Sequence, residues 1–214
     1  MSTTSRSLLL AVVATAVTVA LGVTVLDEKP RPAPREPVAE SASLADLDAV
    51  GLIVRRADFC GAIAPEPVAE ALGAEPVSSS SYTNGQRARL TSRVADVAHE
   101  FSCTWEAEDG TTARAWVFAP PVPPGRARAL ADSAASARGC TVDRDSPAFG
   151  SPSVATVCSG GRQVQVAHRG LFGEAWLSCS VTAPTVGLDQ EDLLDRTGSW
   201  CVSVVGAAAG IPPA

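Results

Sequence analysis

Apolar positions along this chain fall into three regimes. The first is an uncharged run, Leu8–Leu26 (LLLAVVATAVTVALGVTVL). As a helix it would reach roughly 28 Å, close to the hydrocarbon thickness of a bilayer. Signal-peptide cores are shorter, and Ala14-Thr15-Ala16, which has the small residues of a cleavage site, lies inside the run. The pattern therefore predicts an uncleaved transmembrane anchor, with residues 1–7 cytoplasmic and a cleaved signal as the alternative. The second regime is residues 27–43, where Pro30, Pro32, Pro34 and Pro37 impose extended backbone and predict a linker. The third, residues 44–210, has the short periodicities of a folded domain.

Within that domain Leu44, Leu47, Val50 and Ile53 recur at helical spacing and predict a short helix running toward Phe59-Cys60. Pro65–Leu72 predicts a second, with prolines in its first turn and Gly73 just past its end. Ser78–Ser81 and Asn84-Gly85 read as loop. Alternation over Phe101–Ala107 and Thr112–Ala119 predicts a hairpin. A two-residue turn at Asp109-Gly110 would set Trp105 opposite Arg114 and Cys103 opposite Trp116. Pro124–Arg138 is an Ala-rich helix ending before Gly139. Val154–Cys158 and Gln163–His168 make a second hairpin, Glu174–Thr182 a further strand, and Asp189 caps a final helix striped with Leu193, Leu194, Thr197, Trp200, Cys201 and Val204. Strands joined by tight hairpins are antiparallel. The expected class is α+β: an antiparallel sheet with helices packed on one face, stapled by three disulfides and preceded by the transmembrane helix.

Six cysteines, all C-terminal to the apolar run, change the picture most. Disulfides are rare in the cytosol, so residues 27–214 are placed outside it. Lys29, Arg31 and Arg35 follow the run, against the positive-inside pattern, but long C-terminal domains translocate largely regardless of such charges. Spacing alone does not choose among the possible pairings. Pairing of sequence neighbours is expected: Cys60–Cys103, Cys140–Cys158 and Cys179–Cys201. The cysteines lack the close spacing of a zinc site, so no metal is expected. The net charge of −6 disfavours a nucleic-acid partner.

Recognisable chemistry is sparse. A nucleophile elbow, P-loop, dinucleotide fingerprint, zincin motif and EF-hand are all absent, and no cofactor is expected. His99 and His168 are each single residues on strands, read as structural. Asp143, Asp145 and Glu174 could be gathered by folding, and a serine beside His168 would point to catalysis. Arg87, Arg89 and Arg93 would share one strand face able to meet an anionic headgroup or a wall phosphate. Against that stands a charged edge that discourages strand pairing. Trp105 with Arg114 reads as a cation–π pair, or as a stacking platform for a ligand.

Cys60, the helix Ala-Pro-Glu-Pro-Val-Ala-Glu-Ala-Leu-Gly after it, and Cys103-Thr104-Trp105 resemble a family of actinobacterial envelope lipoproteins of unknown function. More distantly they are similar to the extracellular sensor domain of mycobacterial serine/threonine kinases. The resemblance spans about residues 57–206. It implies a secreted, disulfide-bonded α+β domain that binds a ligand or partner, without established catalysis. The chain departs from the lipoproteins in lacking a lipidated cysteine, and from the kinases in lacking a cytoplasmic domain. The expected function is a membrane-anchored extracytoplasmic module that binds a ligand or protein of the cell envelope. A hydrolase of cell-wall material and a ligand-free spacer are the alternatives.

Overall fold

The computed structural model describes residues 43–49, 51–89 and 94–210, all within one unit, Ser41–Ala214. The expected anchor Leu8–Leu26, most of the linker, Val50 and Arg93 lie outside the described residues. Among the described residues no helix is long and apolar enough to cross a membrane.

The domain is α+β. Seven strands form one antiparallel sheet in the order β1 (Ser78–Tyr82), β4 (Glu100–Glu106), β5 (Thr112–Phe118), β9 (Ala175–Pro184), β8 (Gln163–Phe172), β7 (Ser153–Gly160) and β6 (Cys140–Val142). A separate two-stranded ribbon, β2 (Arg87–Arg89) with β3 (Ala95–Val97), projects between β1 and β4 in the chain. Three α-helices complete it: α1 (Pro65–Leu72), α2 (Pro124–Ala135) and α3 (Gln190–Ala209).

Alternation along the strands sorts side chains onto two faces. Cys103, Ala115, Cys179, Val181 and Val166 share the first face and form the main core with α1 and α3. Trp200 of α3 is buried there and meets Trp105 edge-on, with ring centroids 5.5 Å apart. The second face carries a smaller core in which Leu171 and Trp176 pack against Val122 and Ala127 of the α2 segment. Helices therefore cover both faces, not one. The α2 segment has too few large apolar residues to join the main core. It instead closes over an apolar patch of the opposite face, next to Trp116 and Phe118.

The hairpin between β4 and β5 also differs from the expectation. The N–H of Ala107 donates to the carbonyl of Thr111, leaving a three-residue loop, Glu108-Asp109-Gly110. A type I′ turn needs positive φ at two central residues, and only Gly110 has it, at 85°. Lengthening the loop by one residue shifts the register, so Trp105 faces Ala113 and Cys103 faces Ala115. Trp105 and Arg114 thus lie on opposite faces, and the expected cation–π pair is not formed.

Two N-terminal expectations also change. Where a helix was expected, Leu44–Asp46 forms a 3₁₀ turn that ends at Leu47, whose backbone is already extended. Ser78–Tyr82, four serines and a tyrosine, is a strand and not a loop, held by five-residue pairing with β4 at the sheet edge. The termini of α1 and α3 follow their local chemistry. Gly73 caps α1 at φ 70°, and the Asp189 carboxylate accepts from the N–H groups of Glu191 and Asp192 at the start of α3.

Three disulfides join Cys60 to Cys103, Cys140 to Cys158 and Cys179 to Cys201, closing separations of 43, 18 and 22 residues. By chain entropy each contributes about 3–4 kcal/mol. That is large against the usual 5–15 kcal/mol of net stability, and it suits a core in which alanines fill many positions.

Candidate functional site

Two clefts of opposite polarity lie on opposite faces of the sheet. The first is a groove of about 710 Å³ between β1 and the β2–β3 ribbon. Arg87 and Arg89 are exposed on β2 and line it, together with Arg114 of β5 and the hydroxyl-bearing Ser80, Tyr82 and Thr104. Arg114 is held from below: its Nη2 donates to Tyr82 Oη at 2.9 Å and to Glu100 Oε1 at 3.3 Å, and its Nε to Ser102 Oγ at 3.4 Å. Tyr82 donates in turn to Glu100. Burial, reinforced by that hydrogen bond to Glu100, raises the Tyr82 pKa, so the phenol stays a neutral donor. Glu100 offsets Arg114 in a partly buried ion pair and fixes its guanidinium, while Arg87 and Arg89 bring further positive charge to the rim. Of the expected ligand face, the fold brings together Arg87, Arg89 and Arg114. Trp105 is instead partly buried against the main core, beside Trp200, and Arg93 lies outside the described residues.

The second cleft, about 590 Å³, lies between α3 and the loop that joins β6 to β7. Asp143, Asp145 and Ser146 of that loop line one wall, Asp195 and Ser199 of α3 another, and His168 of β8 the floor. Backbone crowding positions the loop. A Cβ on Gly170 would stand 1.4 Å from the Phe149 carbonyl oxygen, and one on Gly150, at φ 80°, 2.6 Å from that of Leu171. Only glycine at both positions lets the loop lie directly on β8. The loop is tied there by Ser151 N–H donating to Leu171 O at 2.8 Å and by Leu171 N–H donating to Pro152 O at 3.1 Å.

His168 is 3% exposed. Burial lowers its pKa to about 4, with Asp143 opposing and Arg169 adding to the effect, so the ring is neutral near pH 7. Ser146 Oγ lies 3.4 Å from His168 Nδ1, the juxtaposition that sequence reasoning would take as a sign of catalysis. The rest of a nucleophilic site does not follow. No carboxylate hydrogen-bonds the ring among the described residues, and an imidazole of such low basicity is a weak general base. Of the other candidates, Asp143 and Asp145 reach this cleft, while Glu174 stands elsewhere and meets Arg56 at 3.9 Å. His99 is exposed before β4. Among the described residues no group of three His, Cys, Asp or Glu side chains could hold a metal ion.

Ser146, Asp195 and Ser199 were not singled out by sequence. The only local sign was the polar turn Asp143-Arg144-Asp145-Ser146-Pro147. The fold is a disulfide-stapled α+β domain, and these two polar recesses lie on opposite faces of its sheet. No protein-family model matches the chain, and no curated protein matches it.

Proposed function

We propose that the chain is an extracytoplasmic binding module of the cell envelope, anchored through Leu8–Leu26 and spaced from the lipid by its proline-rich linker. The groove between β1 and the β2–β3 ribbon takes a phosphate- or carboxylate-bearing ligand, such as a lipid headgroup or a wall polymer. The observation that carries this reading is the convergence of Arg87, Arg89 and Arg114 with neutral hydroxyl donors in one recess of a chain of net charge −6. Arginine forks suit oxyanions, and fixing one of them beforehand, as Glu100 and Tyr82 fix Arg114, lowers the ordering cost of binding. Three disulfides support an oxidising compartment.

A hydrolase is the second reading, favoured by the contact between Ser146 and His168. It is the weaker one, because the ring lacks an orienting acid. Titration of the full chain in non-ionic micelles with sodium tripolyphosphate tests the proposal. Saturable binding that weakens with added salt is expected, and the double variant Arg87→Glu/Arg89→Glu should weaken it at least about tenfold. Binding to glycerol-phosphate polymer or to phosphatidylglycerol nanodiscs then separates wall from lipid ligands. No saturable binding to any of the three overturns the proposal.

A further inference from the structure

The two edges of the seven-stranded sheet differ. One, β6, is three residues long and is stapled to its neighbour by Cys140–Cys158. The other, β1, is five residues long, and Ser78–Tyr82 carries no charge and no proline. Natural edges are blunted by such residues or kept short, because an open edge is a template for another strand. Alternation assigns the open groups of β1. Ala107 N–H donates to Thr111 O across the hairpin, so the backbones of Cys103 and Trp105 also bond toward β5, and those of Ser102, Thr104 and Glu106 bond toward β1. The bond from Val77 N–H to Glu106 O, at 2.8 Å, agrees. In β1, Ser78, Ser80 and Tyr82 therefore pair with β4, while Ser79 and Ser81 turn their N–H and C=O groups outward. Those groups have no other partner among the described residues. Ser78–Ser81 are exposed, and Val77, 64% exposed, stands at the head of the strand.

The open edge borders the basic groove. Ser80, Ser81 and Tyr82 line that recess, and the Arg114 guanidinium reaches across β4 to Tyr82. A strand added to β1 would set every second side chain on the face that carries Ser80 and Arg114, toward the recess lined by Arg87 and Arg89. Carboxylates at those positions match the charge. A second copy of the chain does not, since two-fold pairing of β1 with β1 brings two basic grooves together. Residues 27–43 fit poorly as well, since their four prolines lack the N–H that a ladder needs. We propose that β1 pairs with an extended acidic peptide, its backbone bonded to Ser79 and Ser81 and its alternate carboxylates in the basic groove. This rests on the reading of the groove as an anion site and narrows its ligand to a peptide.

The test uses the full chain, 15N-labelled, in non-ionic micelles. It is titrated with the peptide acetyl-TEVEVET-amide, with the same peptide carrying glutamine for glutamate, and with two isomers N-methylated at alternate amides. The acidic peptide should bind saturably and slow amide hydrogen exchange at Ser79 and Ser81 at least about tenfold, where tripolyphosphate should leave exchange unchanged. The glutamine peptide should bind about tenfold more weakly. One isomer, with its methyl groups on the pairing side, should lose binding, and the other should keep it. Ser79→Pro, which removes an outward donor and no bond to β4, should weaken the peptide about tenfold and leave tripolyphosphate binding unchanged. Arg87→Glu/Arg89→Glu should weaken both. Equal binding of the two isomers, unchanged exchange at Ser79 and Ser81, equal binding of the glutamine peptide, or no saturation up to about 10 mM, near the weak end of specific binding, overturns the proposal. Tripolyphosphate binding decides the anion reading separately. Dimers in sedimentation that Ser79→Pro abolishes would give the edge to a second copy and overturn the proposal as well.

Discussion

The two clefts are built in opposite ways. The basic groove is largely local: Ser80 to Arg89 supply most of it, and two neighbouring strands add Thr104 and Arg114. It sits at a sheet edge whose first strand is almost wholly exposed. The acidic cleft draws on four distant segments, around residues 44, 145, 168 and 195, and its loop rests on backbone where no side chain would fit. The first recess thus depends on surface charge, and the second on the packing of the whole domain. A perturbation of the core should damage the acidic cleft and spare the basic one.

The sharpest way to separate them is Gly170→Ala. The added methyl would overlap the Phe149 carbonyl and must push the loop off β8. A loss of about 3 kcal/mol in denaturant unfolding is expected, with tripolyphosphate binding retained under folding conditions. An unfolding midpoint equal to the parent's in this variant would show that the loop is not fixed as described.

Acidification should act nearly as strongly and again on one side. The His168 pKa is about 4 in the fold, against 6.5 when unfolded. The unfolded chain therefore binds the extra proton first, between those values. The contribution of the neutral ring is complete above about pH 6.5 and falls away as pH drops toward 4, about 3 kcal/mol in all. Asp143 and Arg169 are the charged groups that act on it, in opposing senses. Thermal unfolding of the parent between pH 7 and 4 should show this slope, and His168→Gln should flatten it.

A smaller effect is expected at the basic groove. Glu100→Gln removes the acid that offsets Arg114. Stability should fall by about 1 kcal/mol, since the pair is only partly buried. Tripolyphosphate affinity should rise several-fold. The smallest is Gly198→Ala on α3. A Cβ there would meet Leu44 Cβ at 3.5 Å, an ordinary contact, so a gain of about 0.5–1 kcal/mol in unfolding is expected from helix propensity alone.

The contrast between the clefts also explains what sequence could reveal. Alternation located β4, β5, β7, β8 and β9, because half-buried antiparallel strands carry a two-residue period. Terminal residues located α1 and α3, through Pro65, Gly73 and Asp189. Sequence neighbours among the cysteines are also spatial neighbours: Cys140 and Cys158 pair across adjacent strands. The edge strand Ser78–Tyr82 left no such trace, since an exposed strand needs no apolar side chains and owes its form to β4. The side of the sheet taken by α2 was hidden for a related reason: an Ala-rich stripe does not choose between two cores. Arg87, Arg89 and Arg114 stood out as charges on predicted strands. Asp195 and Ser199 could not, because one more acid and one more serine on a helix surface acquire meaning only when a loop fifty residues earlier in the chain folds beside them.

The central claim, that anion recognition belongs to the β1–ribbon groove, is tested most directly by mapping tripolyphosphate on the full chain. Side-chain guanidinium and imidazole nitrogen resonances would be followed during the titration. The account predicts saturable shifts at Arg87, Arg89 and Arg114, with His168 unmoved. Shifts confined to the His168 cleft, or none at the three arginines at saturation, would contradict it.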